Sequence, residues 1–288
     1  MASTLDEPSL GCLVMEIEPG ELLADRPAIR IVLLADTEEL SVTYFRFANG
    51  TQGPEEHVHR LHADCFLVLE GAMHLRLRGG EQRVEAGSWA QVPHDVVHSF
   101  APLTEVAFLN VHAPSLGFGS YLRGQHEGFD QHPAPEGRGR EPATAVVCRL
   151  GGEEGETITD RTGRRVTLLG DTEEIAVTES LYGPGECGPD IHVHREHTDA
   201  WIVLEGALTF VLRDDIAFEA PVGTLVVVPP NVAHGFSNEG EETARFLNLH
   251  APSCGFGDYM RGQSPGFDQH EPPPDGGLDP SSVLVRSL

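Results

Sequence analysis

At 288 residues the chain is long enough for two domains of ordinary size, each with its own core. Its 45 acidic against 19 basic residues leave a formal net charge of -26, which repels nucleic-acid phosphates and anionic membrane surfaces. Five cysteines form no C-x-x-C pair, and no apolar run approaches the roughly 20 residues of a membrane helix, so disulfide framework, signal peptide and anchor are all unread and a cytoplasmic protein is expected.

The first segment of note is Leu34 with Asp36-Thr37-Glu38-Glu39 and Val42-Thr43, because it returns 135 residues later as Leu169, Asp171-Thr172-Glu173-Glu174 and Val177-Thr178. His57-Val58-His59-Arg60 follows, with Asp64 and Gly71, and the same spacing recurs as His192-Val193-His194-Arg195, Asp199 and Gly206. Phe66 to Leu69 is a short apolar run stopped by Glu70-Gly71, and Leu75-Arg76-Leu77-Arg78 alternates before Gly79-Gly80, so both read as strands entering turns. His98 and His234 arrive later in each copy, at an offset of 136. Leu109 to His132 then matches Leu247 to His270 at 18 of 24 positions, more closely than the preceding segments match each other. Pro133 to Pro142 has almost no apolar content and reads as a linker, which puts a boundary near residue 140 and gives units 1–140 and 141–288. In the second copy Leu225 to Val228 is another short strand before Pro229-Pro230, and Pro272 to Pro280 reads as an extended tail. Long 3.6-residue periodicity is missing, so the expectation is an all-β protein with a barrel or sandwich in each half.

In a strand, residues two apart share a face, so each H-x-H pair delivers two imidazoles to one interior. Asp64 and Asp199 would come from a neighbouring strand after a tight turn, and His98 and His234 from a third. The expected metal ligands are therefore His57, His59, Asp64 and His98 in one half, and His192, His194, Asp199 and His234 in the other. Three imidazoles and a carboxylate leave positions open to water or substrate, as catalytic sites do. One such H-x-H alone is commonly a polar surface feature; here twelve of the fifteen histidines fall into six matched positions.

These motifs resemble those of the cupins, specifically a bicupin with two double-stranded β-helix (jelly-roll) barrels. The first cupin motif, H-x-H, a glutamate, then a glycine, is met in spacing by both copies, with aspartate in the glutamate's place. The second is met by Gly223, Pro229, His234 and Asn238, with Asn231 where the family has glycine. The first half keeps Gly87, Pro93 and His98, with Asp95 at that glycine and Pro102 at the asparagine. The resemblance implies one divalent metal per barrel, with iron, nickel, manganese, cobalt, copper and zinc all acceptable to imidazole and carboxylate. It further implies a small-molecule substrate, with Asp64 and Asp199 as ligand or base, and it leaves a homodimer open.

Around the expected sites several roles stay open. His62 and His197 could be ligands or orienting donors in the turn before the carboxylates, and Asn110, His112, Asn248 and His250 share a face whose direction is undecided. Phe66, Trp201, Phe100 and Phe236 could line a pocket or belong to the core. The repeated 24-residue segment reads as a structural strap in preference to a lid, with Arg123 and Arg261 able to pair a carboxylate across the halves. For function, the leading expectation is a mononuclear metal dioxygenase or related oxidoreductase, quercetin dioxygenase-like, acting on a phenolic, flavonol-like or diketone molecule. The alternatives are a non-redox isomerase, hydrolase or decarboxylase, and a non-catalytic binding cupin.

Overall fold

The strand sequences explain the architecture through their alternation. Ala63–Glu70 points Cys65 and Leu67 to one side and Phe66 and Val68 to the other, and all four are buried. Thr198–Glu205 does the same, with Ala200 and Ile202 on one face and Trp201 and Val203 on the other. A strand dry on both faces must be covered on both, and it reads as a continuous apolar run. In this protein one face closes over a barrel interior and the other packs against the second barrel.

The computed structural model describes residues 15–78, 80–136, 140–213 and 216–288. The first barrel has a seven-stranded sheet in the order Val146–Arg149, Ser88–Val92, Ala63–Glu70, Val106–Ala113, Ser41–Phe47, Ile29–Asp36 and Glu21–Arg26. A smaller sheet faces it, containing His57–Val58, His98–Pro102, Ala72–Leu77, Gly80–Glu85 and His132–Pro133. The second barrel repeats the plan with an eight-stranded sheet and a small sheet of Ala207–Arg213, Ile216–Pro221 and Gly235–Ser237. Each is a jelly roll, so the expected all-β tandem architecture is what the chain adopts.

The two large sheets lie back to back, because one hydrophobic cluster draws residues from both. Leu34, Val42, Leu67, Trp89, Leu109 and Val111 pack with Leu169, Val177, Ile202, Val227, Leu247 and Leu249. The polar margin of this seam is bonded too: the Gln91 amide donates to Ile175 O at 3.3 Å and the Thr198 hydroxyl donates to Glu39 at 3.1 Å.

The crossing between barrels lies beyond residue 140. Val146–Arg149 still pairs with Ser88–Val92 and completes the first barrel's sheet. At the other extreme, Glu18–Pro19 runs parallel to Leu284–Ser287 on the second barrel's sheet. The proline- and glycine-rich stretch marks a surface crossing, whereas the last strand of the first sheet follows it; residues 137–139 of that stretch lie outside the described residues. The tail from Pro272 docks instead of trailing, since Val232 and Gly277 bridge and Leu278 N donates to Asn231 O at 2.7 Å.

Arg123 and Arg261 do not reach across the halves. Arg123 pairs with Glu21 and with Asp36 at 2.6 Å, and Arg261 with Glu156 and with Asp171 at 2.6 Å, so each clamps its strap onto outer strands of its own barrel. Cys65, Cys148, Cys187 and Cys254 are free thiols, and Cys12 lies outside the described residues. Among the described residues no helix is long and apolar enough to cross a membrane.

Because Ile202 is fully buried in the seam, Ile202→Ala is expected to cost about 2–5 kcal/mol of unfolding free energy by chemical denaturation, the range for an apolar side chain deleted from a tight core.

Candidate metal centres

The site begins with the turn glycines. Gly71 has a φ of 72°, and a Cβ there would sit 1.9 Å from Glu105 O, so only glycine lets the hairpin after the aspartate strand close. In the second motif Asp95 and Asn231 take the family glycine's place with φ of 61° and 65°, a conformation these two residue types tolerate. Their amides then donate to His59 O and His194 O, both at 2.6 Å, which ties the second motif to the H-x-H segment. His98 pairs directly with His57 across the small sheet, and His192 bridges His234.

All eight expected ligands converge as two buried groups, His57, His59, Asp64 and His98, and His192, His194, Asp199 and His234, whose candidate ligand atoms lie within 4.8 Å of one another. The proton positions follow from the partners. Nδ1 of His57, His59 and His98 lies 2.7, 2.6 and 2.9 Å from the carbonyl oxygens of Glu55, Asp130 and Val96. In the second barrel Nδ1 of His192, His194 and His234 lies 2.8, 2.5 and 2.9 Å from those of Asp190, Asp268 and Val232. A carbonyl only accepts, so every Nδ1 carries the hydrogen and every neutral Nε2 presents a lone pair inward.

Those lone pairs fit a cation. Nε2 of His59 and of His234 is buried without a hydrogen-bond partner. Nε2 of His192 and His194 face each other at 3.1 Å with no hydrogen between them, and a divalent ion is what makes such an arrangement favourable. Asp64 Oδ2 stands 3.2 Å from His98 Nε2 and 3.5 Å from His59 Nε2, and Asp199 Oδ2 stands 3.3 Å from His194 Nε2, spacings that ligands about 2.1 Å from a shared ion would have. Aspartate is thus long enough to sit beside the imidazoles. Its other oxygen accepts from an asparagine, Asn110 Nδ2 on Asp64 Oδ1 and Asn248 Nδ2 on Asp199 Oδ1, both at 2.5 Å.

Burial resists ionisation of Asp64, but His112, His59 and His98 around it hold its carboxyl well below the usual range, and His250, His194 and His234 do the same for Asp199. Burial, then the neighbouring imidazole, pushes His57 down to about 4 and His192 down to about 3. The rings are held neutral, as metal ligands must be.

The remaining residues are placed by their contacts. His62 and His197 stack on His59 and His194, with ring centroids 4.1 and 3.9 Å apart, and their Nδ1 atoms meet Asp130 and Asp268 at 3.0 and 2.9 Å. His62 and His197 stand outside the four-residue groups, although His59, His62 and His112 make a second close group, as do His194, His197 and His250. Phe66 and Trp201 are fully buried core, Phe66 against Phe100 and Phe108, Trp201 against Phe210 and Phe236. Phe236 also lines a cavity of about 220 Å³ that reaches His192, His194 and Asp199.

Sequence reasoning left four pairs unassigned or unnoticed: Asn110 and Asn248, His112 and His250, Asp130 and Asp268, Phe129 and Phe267. The straps carry more than structure. Asp130 uses its carbonyl on His59 and its carboxylate on His62 and the amides of Arg60 and Leu61, and Phe129 lies against both rings. The signal was present as the unusually exact repetition of Gly128-Phe129-Asp130-Gln131-His132.

A jelly roll that gathers three imidazoles and a carboxylate inside its small-sheet mouth defines a metal-binding β-barrel class. The comparisons agree: the cupin domain family model matches residues 43–112 and 179–250. Each barrel thus carries one region that matches the cupin domain, which supports a bicupin of the cupin superfamily. It is 30% identical over 81 residues, 28% of its length, to an uncharacterized protein of Aquifex aeolicus (strain VF5), of which that match spans 64%. Among solved structures it resembles a cupin 2 conserved barrel domain protein from Leptotrichia buccalis (TM-score 0.55, 12% identity, covering 79% of this chain and 91% of that one). It also resembles oxalate decarboxylase from Bacillus subtilis (TM-score 0.52, 20% identity, covering 82% and 73%). Another structure of that enzyme comes from work on its Mn(II) centres (TM-score 0.52, 20% identity, covering 82% and 74%). At these identities the likeness is one of fold.

His194→Ala is expected to lower bound metal from two ions per chain to one by elemental analysis, while His59→Ala removes the other. The metal-free protein is expected to lose stability as pH falls. The folded pKa values of His57, His192 and His197 lie at about 4, 3 and 4, below the 6.5 of a free imidazole. The unfolded chain therefore binds more protons between those values, so thermal midpoints should drop from about pH 6.5 downward. A flat profile from pH 7.5 to 4.5 would contradict the buried neutral rings.

Proposed function

We propose that the chain is a mononuclear metal-dependent enzyme acting on a small organic molecule, with oxidoreductase chemistry of the dioxygenase type as the first reading. The observation that carries it is the second barrel's combination of three inward Nε2 lone pairs, one Asp199 oxygen and a cavity of about 220 Å³ opening on them. A bound transition ion would supply Lewis acidity or electrons there, at positions that four protein ligands leave open. The protein's own contribution is positioning. Carbonyl oxygens fix the rings, Asn248 fixes Asp199, and Phe236, Phe246 and Phe256 make the walls apolar. The ionised Asp199 carboxylate, which lines the cavity, would serve the ion as ligand, since its carboxyl lies too far below the usual range to make an effective general base.

A decarboxylase is the second reading, and the cavity favours it. Its volume falls below the about 300–1,000 Å³ of pockets that enclose drug-sized ligands, which suits a compact acid or diketone better than a flavonol. The structural likeness to oxalate decarboxylase is compatible with this at the level of fold.

Protein reconstituted with each of iron, nickel, manganese, cobalt, copper and zinc, offered phenols, β-diketones and small carboxylic acids, separates the readings. Oxygen uptake equal to product formed, absent under anaerobic conditions, supports a dioxygenase; carbon dioxide release without net oxygen uptake supports a decarboxylase. Two bound ions with no turnover of any of these substrates would leave a binding protein and overturn the proposal.

A further inference from the structure

The two barrels share their ligands but differ in what stands in front of them. Backbone register makes the comparison direct. Ser180 pairs with Phe246 as Phe45 pairs with Phe108, and Thr178 pairs with Asn248 as Thr43 pairs with Asn110. One strand further out, Arg164 pairs with Tyr182 as Ile29 pairs with Phe47. Along these inner faces the second barrel therefore carries Arg164, Thr178, Ser180 and Tyr182, where the first carries Ile29, Thr43, Phe45 and Phe47.

The consequence is visible in the packing. Phe45 stacks on Phe47 and Phe108 with centroids 5.7 and 5.5 Å apart, and Phe100 lies 6.1 Å from Phe47, so the first barrel's interior beside the ligands is filled by rings. The Thr43 hydroxyl is sealed there without a hydrogen-bond partner. In the second barrel Thr178 and Ser180 line the open cavity. Arg164, the one guanidinium among the cavity's lining residues, lies over the Tyr182 ring at 4.5 Å, and one of its nitrogens donates to Cys187 O at 3.3 Å, which leaves the other terminal nitrogen for a ligand. Among the described residues no carboxylate pairs with it within 4.0 Å, although the Glu186 carboxylate, paired with Arg161, lies near enough to feel its charge.

We propose that the second barrel alone admits substrate, that Ser180 in place of a phenylalanine opens it, and that Arg164 selects a small carboxylate. The first barrel holds the same ligand set behind the Phe45 plug and serves as a metal-bound structural partner. The positive guanidinium at one end and the metal ligands at the other bracket a space that fits an anion of a few carbon atoms, and apolar walls between them strengthen both attractions. This rests on the metal-enzyme reading above for the ion itself, but its content concerns which barrel binds and what charge it takes.

The test uses cobalt(II) as a spectroscopic ion in the full chain, titrated with acetate, oxalate and malonate and, as a neutral control, with catechol. Wild type is expected to bind two cobalt ions and to show a carboxylate-dependent change in the visible spectrum from one of them. That change should persist in His57→Ala and vanish in His192→Ala. Ser180→Phe should abolish it with cobalt stoichiometry still at two, and Arg164→Met should weaken carboxylate binding about ten- to a hundredfold, the usual loss for a hydrogen bond to a charged group, with Arg164→Lys recovering part. Phe45→Ser should create a second responding ion, a gain that needs no loss of folding to interpret. Equal response from both ions in wild type, an unchanged response in Ser180→Phe, or catechol binding preferred over every carboxylate would each overturn the proposal. Failure to bind cobalt at all would instead sink the metal-enzyme reading on which it stands.

Discussion

Dryness on both faces of the large sheets is the constraint on which the rest depends. Ala63–Glu70 and Thr198–Glu205 each carry one row of side chains into a barrel and the other into the seam. Neither row can hold an uncompensated charge, because an isolated ion in such surroundings costs several kcal/mol. Asp64 and Asp199 lie on these very strands. Each is tolerated because an asparagine donates to one oxygen and imidazoles surround the other. The metal centre is thus also the solution to a burial problem, and the back-to-back seam keeps it rigid.

Much of this was legible in the chain. The H-x-H, the aspartate five residues on and the later histidine carry their meaning in spacing, since period two puts alternate residues on one face. Turn glycines announced the hairpins, and Asn231 declared its left-handed backbone through its residue type. Other features were illegible for physical reasons. That a strand from beyond the linker, Val146–Arg149, completes the first sheet could not be read, because edge pairing leaves no local pattern. The straps' role failed because Asp130 and Asp268 act across about seventy positions of chain. Arg123 and Arg261 had several carboxylates within plausible reach, and only the fold chose Asp36 and Asp171.

The duplicated plan also shows how two copies diverge without disturbing their union. At the outward positions Val42 and Val177 on Ser41–Phe47 and Ala176–Tyr182 both copies keep valine, because each packs in the shared seam. Inward residues at alternate positions are exempt from that demand, so phenylalanine in one copy can be serine in the other. Alternation separates the interface from the interior at single-residue resolution.

The six main-chain carbonyls that hold the ligand rings have a consequence of their own. A carbonyl oxygen belongs to every residue type, so no side-chain substitution at positions 55, 96, 130, 190, 232 or 268 can delete the acceptor that sets the tautomer. The choice of which nitrogen meets the ion is inherited through backbone path instead of residue identity. Lineages of this chain could rewrite the exposed positions 55 and 190 and keep the same imidazole chemistry, provided the loops kept their course, whereas Asp130 and Asp268 stay bound by their carboxylate contacts and Val96 and Val232 by burial.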